Sequence, residues 1–133
     1  MAHALSQYDG KCRNIHGHSY ILEVTVIGSP STDSSSPKEG MVLDFSILKE
    51  IVNSEIIDKL DHALMLREGT EVAAGLPALS GRVVLVPYQP TCENMIADFA
   101  HKIGSHLPAD VSLFSLRLHE TNSSWAEWFA QDN

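Results

Sequence analysis

The chain predicts an α+β fold built on antiparallel pairing. Three observations carry this: β-branched runs at 20–28 and 111–120, two helical stretches opened by capping residues, and connections that let sequential strands pair as hairpins. With 133 residues and no internal repeat, positions 1–133 read as one domain long enough to bury a hydrophobic core.

Residues 20–28 (YILEVTVIG) form the first strand, with Leu22, Val24 and Val26 on one parity and Gly28 at its end. The SPSTDSSSPKEG stretch at 29–40 is too polar to pack and reads as a mobile hairpin connection. Residues 41–43 read as a short returning strand. Asp44 then caps a helix whose apolar stripe is Phe45, Leu48, Ile51, Val52 and Ile56. Residues 67–82 hold glycines and Pro77 without a sustained period, and read as loop with one short helical turn. Another apolar β-branched run follows at 83–87. Thr91 caps a second helix, which runs to about Leu107, ahead of Pro108, with Met95, Ile96, Phe99, Ala100 and Ile103 turned inward. Strict alternation over 111–120 puts Phe114, Leu116, Leu118 and Glu120 on one face and Leu113, Ser115, Arg117 and His119 on the other. The order is β, β, α, β, α, β.

Hydrophobic residues make up 44% and charged residues 20%, a globular balance far from that of disorder. The formal net charge of −8 offers no broad basic field for a nucleic-acid backbone or an anionic membrane, so neither is expected as a partner. Cys12 and Cys92 stand in different contexts and are expected to remain unpaired. With no secretory leader pattern and no long apolar run, a cytoplasmic location is expected.

Three of the seven histidines fall in the first 18 positions. In extended backbone His16 and His18 project from one face and can seat one metal, with His3 as third ligand. Spacing alone also suits two surface histidines flanking a turn glycine. Nitrogen donors favour Zn2+ over calcium or magnesium. Cys12, four residues before His16, is either a base beside the metal or a small buried hydrophobe, and flanking Lys11 and Arg13 favour exposure. Asp61 and His62 are a carboxylate–imidazole pair whose side chains point apart if the backbone there is a strand. Glu120 either meets water at the sheet rim or binds something from a sheltered position.

Taken in order, AHAL (2–5), CRNIHGHSY (12–20), GMVLDFSILK (40–49), LDHALML (60–66), PTCEN (90–94) and HET (119–121) resemble the 6-pyruvoyl- and 6-carboxytetrahydropterin synthase family. The resemblance implies zinc on His3, His16 and His18, Cys12 as catalytic thiol, Asp61 and His62 in proton transfer, and Glu120 holding the pterin ring. Thr91 and Glu93 become further pterin-binding candidates. It also implies an antiparallel four-stranded sheet with two helices on one face, the T-fold, closed into barrels by trimerisation and stacked into hexamers with active sites between subunits. Cys12 and His62 would then come from different chains.

The implied reaction starts from 7,8-dihydroneopterin triphosphate, with zinc acting as a Lewis acid on the side-chain hydroxyls. The compact Cys-x-x-x-His-Gly-His form is similar to the carboxytetrahydropterin synthases of queuosine (deazaguanine) biosynthesis, which release acetaldehyde and triphosphate. Elimination of triphosphate alone, giving the pyruvoyl product, is the alternative within the family, and a non-catalytic zinc- or pterin-binding module the alternative outside it. Lys11, Arg13 and Lys49 are candidates for phosphate contact. One departure is that only Met1 and Ala2 precede His3, where the family has a full strand. Its loss would expose a sheet edge and leave His3 on a loose terminus.

Overall fold

The computed structural model describes residues 1–75 and 81–133. Its strands are β1 (Ala2–His3), β2 (His16–Gly17), β3 (Ile21–Gly28), β4 (Leu64–Arg67), β5 (Val83–Val86), β6 (Val111–Thr121) and β7 (Ser124–Phe129). The helices are α1 (Phe45–Val52), α2 (Asp58–Leu60), α3 (Glu71–Gly75) and α4 (Cys92–Gly104), with a π-helical turn, Asn53–Ile57, joining α1 to α2.

The strands form two sheets, which corrects the expectation of one antiparallel four-stranded sheet. One has the order β3-β6-β7 and is antiparallel throughout. The other has the order β2-β1-β4-β5, and its β1–β4 and β4–β5 pairs are parallel. The reason lies in β4, where Leu64 and Leu66 join a small cluster with Ala4 and Ala73 while Met65 enters the main core. A strand buried on both faces reads as a continuous apolar run, the usual mark of a parallel neighbour. For that reason LDHALML shows no alternation to read.

The main core lies between α4 and the inner face of β6 and β7. Met95, Ile96, Phe99, Ala100 and Ile103 fill it from the helix, as their spacing predicts, against Leu113, Leu116, Leu118 and Ala126. Thr91 caps α4 by accepting from the Asn94 N–H at 3.3 Å. The helix stops at Gly104, short of Leu107, because Ser105 N–H bonds back to His101 and His106 N–H to Ile103, tightening the last turn.

Strict alternation fails once in β6. Thr25 pairs with Ser115 but Val26 pairs with Leu113, so Phe114 is an extra, bulged residue. The bulge flips the parity beyond it: Leu113 is buried and Phe114 exposed. A second irregularity between His119 and Thr121 drops Glu120 out of the β7 ladder. β7 itself, SWAEWF, was not anticipated from the sequence, since only Ala126 of its side chains is buried.

Residues 41–43 form no strand. Ser31 N–H bonds to the Met41 carbonyl and Gly40 N–H to the Ser31 carbonyl, closing the neck of the polar 29–40 loop. The chain then bends so that Val42 packs under Gly28, where a Cβ would lie 2.9 Å from Val42 Cγ1. Asp44 caps α1 as expected, accepting from Ser46 N–H. Phe45, expected on the buried stripe, is 77% exposed, and no residue of α1 is fully buried. Ile56 and Leu60, further along, reach the core. The short helical turn expected in 67–82 is α3, and 76–80 lie outside the described residues.

His3 is not on a loose terminus. Ala2 N–H bonds to the Ala63 carbonyl, β1 lies between β2 and β4, and His3 is 2% exposed. Among the described residues β3 pairs only with β6, so its other edge is open. Replacing Leu116, 1% exposed, by alanine is expected to cost about 2–5 kcal/mol in urea denaturation.

Candidate metal centre

β1 and β2 pair with His3 opposite His16. The short antiparallel ladder therefore places two imidazoles on neighbouring strands, and alternation places His18 on the same face as His16. Gly17 makes the approach possible, since a Cβ there would stand 3.2 Å from the Met1 carbonyl oxygen. The ring centroids are 4.5 Å apart for His3–His16, 5.0 Å for His16–His18 and 5.6 Å for His3–His18. One ligand atom from each of the three lies within 4.8 Å of the others.

Two of the rings are oriented from behind. His3 Nδ1–H donates to the Pro90 carbonyl at 2.7 Å and His16 Nδ1–H to the Asn14 carbonyl at 2.8 Å, leaving both Nε2 atoms as acceptors. This is the arrangement by which metal-binding imidazoles are held in one tautomer. Burial, helped by the neighbouring His16, holds His3 below the ordinary histidine range, against the opposing effect of the Pro90 carbonyl. A neutral imidazole is the form that ligates. Three nitrogen donors with room beside them fit a zinc ion that keeps one position open.

Glu120 is the carboxylate nearest that centre. Its Oε1 lies 3.5 Å from His3 Nε2 and 3.8 Å from His18 Nε2, and it accepts a hydrogen bond from the Tyr20 hydroxyl at 3.1 Å. At 26% exposure its side chain is sheltered rather than set at a wet rim. The same hydroxyl lies 3.3 Å from His3 Nε2. Burial, then Glu120, raise the Tyr20 phenol above its ordinary range, so it remains a donor.

Beside the histidines opens a cavity of about 440 Å³. His18, Tyr20, Asp61 and His62 contribute polar groups to its wall, and Ile56, Leu60, Phe99 and Leu118 supply apolar ones. Asp61 and His62 do touch, with Oδ2 and Nδ1 3.0 Å apart. The strand argument fails there because His62 has φ 57, a left-handed conformation that folds the two side chains together.

Cys12 sits half-buried on a 3₁₀ turn, Lys11–Arg13, with Lys11 and Arg13 exposed beside it. Among the described residues no hydrogen bond joins Cys12 to Asp61 or His62. Of the site residues expected from the sequence, His18, Asp61 and His62 line the cavity, whereas His3, His16, Cys12, Glu120, Thr91 and Glu93 do not. Thr91 serves as helix cap, Glu93 is exposed on the first turn of α4, and Lys49 is exposed on α1. Both cysteines are free, as expected. Cys92 donates to the Leu118 carbonyl at 3.2 Å, and burial pushes its thiol up to about 11. Sequence reasoning missed Tyr20 and the Pro90 carbonyl. Tyr20 was within reach, since it continues the His16, His18 parity, whereas a backbone carbonyl leaves no residue-type signal.

Fold and site together define three histidines positioned to hold one metal ion, His18 among them also lining the cavity, on an α+β scaffold with a carboxylate beside the donors. Residues 1–131 match the model of the family described as 6-pyruvoyl tetrahydropterin synthase, and the chain belongs to that family. It is 39% identical over 132 residues to the 6-carboxy-5,6,7,8-tetrahydropterin synthase of Haemophilus influenzae, an alignment covering 96% of this chain and 91% of the relative. Among solved structures, an uncharacterized Wolinella succinogenes protein superposes with a TM-score of 0.79 at 18% identity, covering 97% of this chain and 92% of that one. The 6-pyruvoyl tetrahydropterin synthase of Caenorhabditis elegans does so with 0.67 at 23%, covering 97% and 87%. Both share the fold. No helix of the described residues is long and apolar enough to cross a membrane.

Replacing His16 and His18 together by alanine is expected to abolish bound zinc in metal analysis of purified protein, whereas one zinc retained per chain would contradict the site. Without metal, stability should fall as pH drops below the ordinary histidine value of about 6.5, because unfolded His3 then takes a proton that the buried ring refuses. Urea titrations on either side of that pH read the slope. A His3→Gln variant should flatten it.

Proposed function

We propose that this chain is a zinc-dependent 6-carboxy-5,6,7,8-tetrahydropterin synthase. It would convert 7,8-dihydroneopterin triphosphate and one water into 6-carboxytetrahydropterin, acetaldehyde and triphosphate. The observation that carries the reading is the convergence of His3, His16 and His18 beside Glu120, with its Oε1 3.5 Å from His3 Nε2, next to a cavity of about 440 Å³ that His18 and Tyr20 line. The similarity to carboxytetrahydropterin synthases supports the product, and the compact Cys-x-x-x-His-Gly-His form supports the queuosine pathway as its use.

When bound, zinc would polarise the hydroxyls of the substrate side chain as a Lewis acid. Glu120 is the acceptor for paired N–H donors of the pterin ring, since a carboxylate takes two such bonds side by side. Tyr20 holds that carboxylate in place. The apolar wall of Leu60, Phe99 and Leu118 removes water from the ring faces. Cys12 and His62 move protons between carbon and oxygen, with Asp61 orienting His62 through their 3.0 Å contact. Thr91 and Glu93 are further pterin contacts. Lys11, Arg13 and Lys49 are exposed cations suited to the triphosphate.

In this reading the working form is a homo-oligomer, a trimer or a hexamer of two trimers, in the cytoplasm. The barrel of the family forms on trimerisation, with active sites between subunits. Cys12 of one chain then meets His62 of the next, in keeping with the lack of a hydrogen bond between them within one chain. The open edge of β3 is available for such pairing.

Zinc-loaded protein incubated with 7,8-dihydroneopterin triphosphate is expected to yield carboxytetrahydropterin and acetaldehyde by mass spectrometry, and Cys12→Ala to lose both. A pyruvoyl product would change the branch, and no turnover by zinc-replete protein would leave a zinc- or pterin-binding module.

A further inference from the structure

The segment carrying both His3 and Cys12 has little regular structure of its own, since β1 is two residues long and the turn at Cys12 three. What grips the chain between them is Gln89. Its amide oxygen accepts from the Ser6 N–H at 3.2 Å and from the Ser6 hydroxyl at 2.9 Å, and its amide N–H donates to the Ser6 carbonyl at 2.5 Å. One primary amide thus pairs with both backbone groups of Ser6, as a neighbouring strand would. Gln89 is itself anchored, its carbonyl accepting from Thr91 N–H at 2.7 Å and from Asn94 Nδ2 at 2.9 Å at the start of α4.

The clamp connects to the chemistry in two directions. Pro90, the next residue, is fully buried and its carbonyl accepts the hydrogen bond from His3 Nδ1–H. On the other side Leu5, next to Ser6, donates its N–H to the Cys12 carbonyl at 2.9 Å. We infer that Gln89 is a positioning residue that sets the Cys12 turn and the His3 ring relative to each other by holding Ser6 against the 89–90 dipeptide. It acts through Ser6 and Pro90, not by touching substrate. This rests on the reading of His3 as a zinc ligand and Cys12 as the reactive thiol. The role requires an uncharged amide, because a carboxylate would accept from Ser6 N–H but repel its carbonyl, whereas the Ser6 side chain supplies only one of the three bonds.

Wild type, Gln89→Ala, Gln89→Glu and Ser6→Ala are compared as full chains by zinc competition with a chromophoric chelator, steady-state kinetics, and the rate of iodoacetamide alkylation at Cys12. Buried Cys92 serves as internal control for loosening of the whole fold. Gln89→Ala is expected to weaken zinc binding and to lower kcat, each about tenfold, while KM stays within about twofold. Cys12 alkylation should change severalfold with Cys92 still unreactive. Gln89→Glu should follow Gln89→Ala, and Ser6→Ala should stay near wild type. The inference is overturned if Gln89→Ala matches wild type in all three readouts, if Cys92 becomes reactive alongside Cys12, or if Ser6→Ala is as damaging. Wild-type zinc stoichiometry and turnover test the underlying functional reading separately, and Cys12 alkylation reads the clamp even in metal-free protein.

Discussion

A buried hydrogen bond, from His3 Nδ1 to the Pro90 carbonyl, is the constraint on which the site depends. It joins the first strand to the residue just before α4, fixes the tautomer of a ring that is 2% exposed, and turns Nε2 toward Glu120. Without it a buried N–H would be left unsatisfied, at a cost of about 1–3 kcal/mol. The parallel pairing of β1 with β4 follows the same logic, since a two-residue strand is kept in place by neighbours on both sides rather than by its own length.

Two local irregularities aim the remaining groups. The break in the β6–β7 register frees Glu120 from the β7 ladder at the level of the histidines, where a regular strand would have held it in line. At the far wall of the cavity, the π-helical turn carries the chain from α1 to Leu60, after which the left-handed backbone at His62 folds its imidazole onto Asp61. Each departure from regular structure lies near a group for which chemistry has a use. They are local choices laid over an otherwise ordinary core, in which α4 closes the inner face of β6 and β7.

Much of this was legible in the residues. The β-branched run of β3, the helical stripe of α4 and the caps at Asp44 and Thr91 are short-range patterns, and the structure places them where spacing does. The grouping of His16 and His18 was readable because strand alternation is local. The parallel sheet was not, because β4 is apolar on both faces and β1 is too short to show a period. The parity of β6 before Ser115 was not legible because a bulge leaves no mark in composition, and β7 was not because most of its side chains face outward. The contact of Asp61 with His62 turns on one positive φ, which residue type does not reveal.

The central claim is that three imidazoles, and no thiolate, hold the metal. Zinc K-edge X-ray absorption on the zinc-loaded protein tests it most directly. The account predicts a first shell of nitrogen and oxygen scatterers at about 2.0–2.1 Å with the multiple-scattering signature of imidazole. A sulfur shell at about 2.3 Å would place Cys12 on the metal, contradict its role as a free thiol, and require a different site from the one described.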